Sequence, residues 1–150
     1  MSAELNKTIV RRFYQEIWNE RNLAVADEIF APGCVTHQLS SGAPIETGPR
    51  DPATVKHHVA EWVNSFPDLR FEVEELLADG DRVVSRCVMH GAHKADWHGI
   101  APTGRRVTIR MMVIHRIADG QIAEDWVLVE SLGFFQQLGL IASTAEILQR

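Results

Sequence analysis

Val107–Glu130 reads VTIRMMVIHRIADGQIAEDWVLVE: two runs rich in Val, Ile, Met and Trp on either side of Asp119-Gly120. An Asp-Gly pair between apolar runs is the strongest short-range hairpin signal. Neither run alternates cleanly. Val107, Ile109, Met111 and Val113 share one face of the first strand, and Met112 and Ile114 the other. In the return strand a strict period of two puts Ile122, Trp126 and Leu128 on one face and Val127 and Val129 on the other. Strands apolar on both faces are covered on both faces. The protein's own helices are the expected cover on one side, and a second subunit on the other. Into this surface the chain sets His115, Glu124, Asp125 and Glu130, ionisable groups that mark a candidate working cavity.

Working outward, Ser2–Asn19 carries Leu5, Ile9, Phe13 and Ile17 at helical spacing, widened by Val10, Tyr14 and Trp18. Asn22 is placed to cap a second helix, Leu23–Phe30, that Pro32-Gly33 would end. Residues 34–38 (CVTHQ) read as a short strand. Ser40–Pro52 is the one long loop, dense in Gly and Pro, and is either a lid or a connector. Asp51-Pro52 starts a third helix that turns Val55, Val59, Trp62, Val63 and Phe66 inward and stops at Pro67. Leu69–Ala78 and Arg82–His90 form a second hairpin about Asp79-Gly80-Asp81. A polar crossover, Gly91–Arg106, leads to the main hairpin, and Ser143-x-x-Glu146 is a capping box for a last short helix. Helices first, then mostly antiparallel strands, define an α+β domain: helices on one face of a curved sheet, with a conical hollow between.

Composition narrows the function. A chain of 150 residues, 45% hydrophobic and 23% charged, is one ordinary globular domain spanning 1–150. A net charge of −5 with scattered Lys and Arg argues against nucleic-acid or anionic-membrane partners. No apolar run approaches the roughly 20 residues of a membrane span, and the N-terminus lacks a signal-peptide core. The two cysteines, Cys34 and Cys87, read as buried and reduced, so a cytoplasmic location is expected. His90, His93, Asp96 and His98 have metal-ligand chemistry, but a crossover loop supplies poor zinc geometry and no metal is expected. His57-His58 lie on a helix, where adjacent side chains diverge.

An ordered set of short motifs then acquires meaning. Asn6, Phe13-Tyr14, Trp18-Asn19, Val35-x-His37, Phe66-Pro67-Asp68-Leu69, Gly80-Asp81-Arg82-Val83-Val84, Gly91-x-His93 and Gly99-x-x-Pro102-Thr103-Gly104 come first. Arg116-Ile-x-Asp-Gly120-x-Ile122-x-Glu124-x-Trp126 and Gln137-Leu138-Gly139 follow. Together they resemble the SnoaL-like polyketide cyclases, also called ester cyclases, across nearly the whole chain. The resemblance implies a cystatin-like cone, an α+β barrel with an internal pocket, shared with nuclear transport factor, scytalone dehydratase and ketosteroid isomerase. It also implies a homodimer or tetramer through the outer sheet face and no cofactor. Its best-understood members close a ring by an intramolecular aldol reaction with an Asp and a neighbouring His. Aligned on Arg116, the Asp119-Gly120 turn and Trp126, those two positions fall on Val113 and Val127, neither of which can move a proton.

His115 and Asp125 are the nearest replacements, and turn geometry decides whether they share a face. A three-residue loop with a bulge turns Val113 and Val127 into the pocket and sets His115 diagonal to Asp125. A two-residue turn sets His115 against Glu124, with Glu130 on the same face. An imidazole near a carboxylate suits acid/base work, while an ion pair at the sheet rim is the competing reading. Glu130 is either a raised-pKa proton donor or the cap of the Ser131-Leu132-Gly133 segment. His37 sits beside the candidate lid at a position that family members often fill with His. Trp62 and Trp126, with Val113 and Val127, are the expected pocket walls. The expected function is a cofactor-independent cyclase, lyase or isomerase acting on an apolar, carbonyl-bearing, polyketide-like small molecule. The alternatives are an epoxide-hydrolase-like enzyme and a non-catalytic binding or assembly domain of the same fold.

Overall fold

A computed structural model describes residues 2–40 and 46–149. Helix α1 (Ala3–Arg12) runs on as a wider π-helical stretch, Phe13–Asn19, and a turn at Leu23–Val25 leads into α2 (Ala26–Ile29). Then come β1 (Phe30–Gln38), β2 (Thr47–Pro49), α3 (Pro52–Ser65), β3 (Arg70–Asp79) and β4 (Arg82–Ala92). β5 (Arg106–Ala118), β6 (Gln121–Val129), α4 (Ser131–Gln137) and α5 (Thr144–Leu148) complete the chain. The six strands form one curved sheet in the order β2-β1-β6-β5-β4-β3, antiparallel except between β1 and β6. This is the expected α+β architecture.

Ser2 caps α1 by accepting the Leu5 amide at 3.1 Å. The buried stripe is rotated by one residue from the expected one: Asn6, Val10 and Tyr14 are buried, whereas Leu5 is 57% exposed. The Asn6 side chain supplies the reason, since its Nδ2 donates to Gly80 O and ties the helix to the β3–β4 turn. The π-helical stretch then adds a residue to the turn, so Ile17 and Trp18 are both buried. The second helix is shorter than expected. Asn22 makes no side-chain cap and Phe30 already pairs with Ile122 in the sheet. Pro32-Gly33 sits where the β1–β6 register shifts, a place where a missing N–H costs no ladder bond.

The β5–β6 hairpin determines the site. Asp119 and Gly120 both have positive φ (50° and 74°), so the turn has two residues and joins Ala118 to Gln121. The extra residue lies inside β6. Ile117 faces Ile122 but Arg116 faces Glu124, leaving Ala123 as a bulge that reverses the parity of the strand beyond it. Ile122 therefore shares the inner face with Val127 and Val129, not with Trp126 and Leu128. His115 lies directly opposite Asp125, and Val113 opposite Val127.

Helices α1 and α3 cover the inner face, with Ile17, Phe30, Phe66 and Ile122 among the fully buried side chains of the core. The outer face leaves Met112 (50%) and Leu128 (47%) exposed. The lid reading of Ser40–Pro52 falls partly on residues 41–45, outside the described residues; Thr47–Pro49 is an edge strand paired with β1. Among the described residues no helix is long and apolar enough to cross a membrane.

Candidate active site

Between helices and sheet lies a cavity of about 180 Å³. Phe13, Tyr14 and Trp18 wall it from the first helix, and His58 and Trp62 from α3. The sheet contributes Met89, Ile109, Met111, Val113, Val127 and Val129. Besides Tyr14 and His58, the polar side chains His115, Asp125, Gln38 and Arg50 interrupt this apolar lining.

His115 is fully buried (0% exposed), with its ring edge-on to Phe13 at 5.5 Å between centroids. Burial lowers its pKa from 6.5 to about 4; Asp125 opposes that shift and Arg50 reinforces it. The ring is therefore neutral at pH 7. Among the described residues neither nitrogen has a hydrogen-bond partner, so one N–H and one lone pair are unspent within the cavity wall. Asp125, 3% exposed, holds its Oδ2 4.0 Å from His115 Nε2, too far for a direct hydrogen bond. Its Oδ1 accepts from Thr36 Oγ1, the residue paired with it across the parallel β1–β6 ladder. Thr36 Oγ1 in turn accepts from Gln38 Nε2 at 3.1 Å, and Arg50 Nη2 lies 3.5 Å from it. One carboxylate oxygen is thus fixed from behind while the other faces the imidazole.

Other buried groups are quiet. Tyr14 Oη is 2.7 Å from Ser85 Oγ, and burial holds its pKa well above 10. Burial pushes the Cys34 thiol up to about 12 and Cys87 up to about 11; both are buried free thiols. His58 is half-buried, and burial, reinforced by Arg50, pushes it down to about 3.

The expected site residues separate into two groups. His115, Asp125, Val113, Val127 and Trp62 all line the cavity. His37, Trp126 and Glu130 do not line it. His37 and Trp126 stand on the outer face, ring on ring at 5.4 Å. His37 Nε2 lies 2.6 Å from Glu124 Oε2, which with Arg116 holds that carboxyl below the usual range. Arg82 covers Trp126 at 4.8 Å. The bulge at Ala123 and the alternation of β1 turn these side chains outward. Glu130 is exposed and accepts the Gly133 amide at 3.0 Å, which makes it the N-cap of α4. It ends its strand at the sheet surface, away from the cavity.

Sequence reasoning missed Thr36, Gln38, Arg50 and His58, and cast Phe13, Tyr14 and Trp18 only as helix packing. Strand parity in β1 was the available signal, since Cys34 and Thr36 are buried on one side and His37 lies on the other. The crossover histidines do not converge. His93 is buried against Phe66, His90 meets Glu72 at 3.2 Å, and Asp96 accepts the Gly99 amide. No group of three metal-ligating side chains occurs among the described residues.

A curved sheet closed by helices around an apolar cavity, with an imidazole and a carboxylate on facing strands, is the architecture of a cone-type α+β fold. A family model for SnoaL-like polyketide cyclases matches residues 8–138, and the chain belongs to that family. A candidate polyketide cyclase from Acidithiobacillus ferrooxidans is 30% identical, with a TM-score of 0.80 over 95% of this chain and 100% of its own. IdmH from Streptomyces antibioticus, a candidate polyketide cyclase, is 28% identical, with a TM-score of 0.76 over 89% of this chain and 98% of its own. AclR from Streptomyces galilaeus, a candidate hydroxylase, shares the fold at 22% identity, with a TM-score of 0.83 over 99% and 89%. No curated protein matches.

Proposed function

We propose that this protein is a cyclase-type enzyme that moves a proton at the carbon next to a carbonyl of an apolar substrate, with Asp125 and His115 as its acid/base pair. One observation carries the reading: the two side chains face each other across the β5–β6 hairpin, inside the cavity, and His115 has unspent hydrogen-bonding capacity. Asp125 Oδ2 takes the α-proton, and the neutral His115 N–H donates to the carbonyl oxygen as negative charge develops there. A neutral imidazole suits this task because it adds a donor to an apolar site without a second charge. The enolate carbon then attacks a second carbonyl of the same molecule. A carbon–carbon bond forms, and the new alkoxide recovers a proton from the Asp125–His115 pair. Substrate and product are isomers, so the step calls for no cofactor. Apolar walls keep water from quenching the enolate. The same pair supports isomerisation or elimination on a substrate with one carbonyl. Self-association through the outer face, where Met112 and Leu128 are exposed, is part of the proposal.

A second reading, binding without chemistry, is favoured by Val113 and Val127, which make apolar the two positions the resemblance assigns to the cyclase pair. Deuterium exchange at the α-carbon of phenylacetone in D2O, followed by proton NMR, separates the two. Wild type should accelerate exchange above buffer, and Asp125→Asn should remove at least about 100-fold of it. No acceleration, or an equal rate in Asp125→Asn, would leave only the binding reading.

A further inference from the structure

Arg50 has no task in the chemistry above, yet among the described residues it is the one lysine or arginine on the cavity wall. Its backbone is held in place: Arg50 N donates to Cys34 O at 2.7 Å, which fixes the residue at the junction of β2 and α3. Its guanidinium is poorly served. Among the described residues Nε is buried without a partner, and Nη2 has only the 3.5 Å approach to Thr36 Oγ1. Among the described residues no carboxylate lies within 4.0 Å of it, although most arginines elsewhere on the sheet have such partners, including Arg82, Arg86, Arg106, Arg110 and Arg116. Residues 41–45, outside the described part, are Ser, Gly, Ala, Pro and Ile and bring no acid. A guanidinium facing an apolar cavity with a buried, unmatched N–H is costly unless something that enters the cavity satisfies it. Its planar fork matches a carboxylate with two parallel hydrogen bonds.

Cavity size limits the rest of that molecule. A dry cavity of about 150 Å³ accepts benzene. At about 180 Å³ this one takes a single ring, or an equivalent chain, beside the polar pair. We propose that Arg50 anchors a carboxylate on the substrate, so that this protein selects a small carboxylic acid whose apolar part is about one ring in size. The inference rests on reading the cavity as a substrate site. It adds the substrate class and a specificity-determining residue: Arg50 holds the acid end while Asp125 and His115 face the carbon to be deprotonated.

Isothermal titration with phenylacetate and with phenylacetamide, its uncharged counterpart of equal size, tests this at pH 7. Wild type should bind the acid at least about tenfold more tightly than the amide, and Arg50→Gln should bind the two within about twofold of each other. Arg50→Lys keeps the charge but loses the fork, so its affinity for the acid should drop about fivefold while a preference for the acid remains. Should Arg50→Gln fail to fold, the lysine variant decides, because unchanged acid affinity there overturns the inference. Equal binding of acid and amide to wild type overturns it, as does a preference that survives in Arg50→Gln, or no binding of phenylacetate at about 10 mM. Binding is read without turnover. Acid-selective, Arg50-dependent binding by a protein that never exchanges α-protons would therefore keep this inference and remove only the chemistry proposed for Asp125 and His115.

Discussion

Replacing His115 with Gln should flatten the pH dependence of stability between pH 6.5 and 4. In the unfolded chain this imidazole takes up its proton near 6.5, whereas burial delays protonation in the folded protein to about 4. Within that window the unfolded state binds more protons, so stability falls as the pH falls. Above pH 6.5 the ring is neutral in both states and contributes no slope. Each pH unit inside the window is worth about 1.4 kcal/mol, and the whole window about 3 kcal/mol. That is a large share of a typical 5–15 kcal/mol. Asp68 and Glu124, whose carboxyls are held low, begin to lose their stabilisation as the pH falls to their ordinary values of 3.8 and 4.5, in wild type and variant alike. His58, also pushed down, contributes to wild type and variant alike and cancels in the difference. Urea unfolding at pH 7, 6, 5 and 4 gives both curves. The wild-type curve should steepen below pH 6.5 relative to His115→Gln, with about 3 kcal/mol of divergence by pH 4. Parallel curves would mean that His115 titrates normally, and the neutral donor assigned to it in catalysis would be lost with the buried ring.

Four further outcomes follow from the same geometry. In kcat/KM for any substrate that turns over, no inflection belonging to His115 should fall near pH 6.5, because its lowered pKa keeps the ring neutral down to about pH 5; a limb at 6.5 that disappears in His115→Gln would contradict this. Glu130→Ala should cost about 1 kcal/mol in urea unfolding and leave turnover unchanged, since it removes a helix cap outside the cavity. Gly133→Ala would drive a Cβ into the Glu130 carboxylate that makes this cap, so the double variant should be no less stable than Glu130→Ala alone; full additivity would refute the shared cause. Tyr14→Phe should cost about 1–2 kcal/mol, because it leaves the buried Ser85 hydroxyl with only the 3.5 Å approach to Val113 O, and an unshifted urea midpoint would show that the pair is not formed.

Periodicity and turn chemistry were enough to read the architecture. Asp119-Gly120, Asp51-Pro52 and Ser143-x-x-Glu146 each mark an element boundary that the structure contains, because each rests on interactions within a few residues. The site was harder to read because its side chains are assembled across long sequence distances. Thr36 meets Asp125 through a parallel ladder between the first and last long strands, a pairing with no local signal. The bulge at Ala123 is equally silent, since an alanine in a strand announces nothing, yet it decides which half of β6 faces inward. A three-residue turn would have put Val113 and Val127 inside as well. The structure reaches the same faces by a two-residue turn followed by a bulge. Beyond the bulge Trp126 goes outward to His37, and Asp125 goes inward to His115. The rotation of α1 was concealed for another reason: a buried asparagine in place of Leu5 runs against hydrophobicity, and only its bond to Gly80 accounts for it.

Val113 faces Val127, and His115 faces Asp125: these are successive pairs on one face of one hairpin. The resemblance assigns the family's imidazole and carboxylate to the first pair, and this chain carries those residue types on the second. Two residues along each strand is a displacement of about 7 Å toward the turn. Loss of a catalytic pair by drift would leave no reason for both residue types to recur together on the adjacent rung, in a cavity where an unsatisfied imidazole and a buried carboxylate each cost stability. The move also has a steric consequence. Exposure falls from the partly open Val127 to the fully buried His115, so a reacting carbon has to enter more deeply than it would at the valine rung. With about 180 Å³ to occupy, a fused-ring skeleton would reach the pair only by an edge, while a one-ring acid held at Arg50 could lie within reach of both groups. On the function proposed above, shifting the pair by one rung is a change of substrate size rather than the loss of a site.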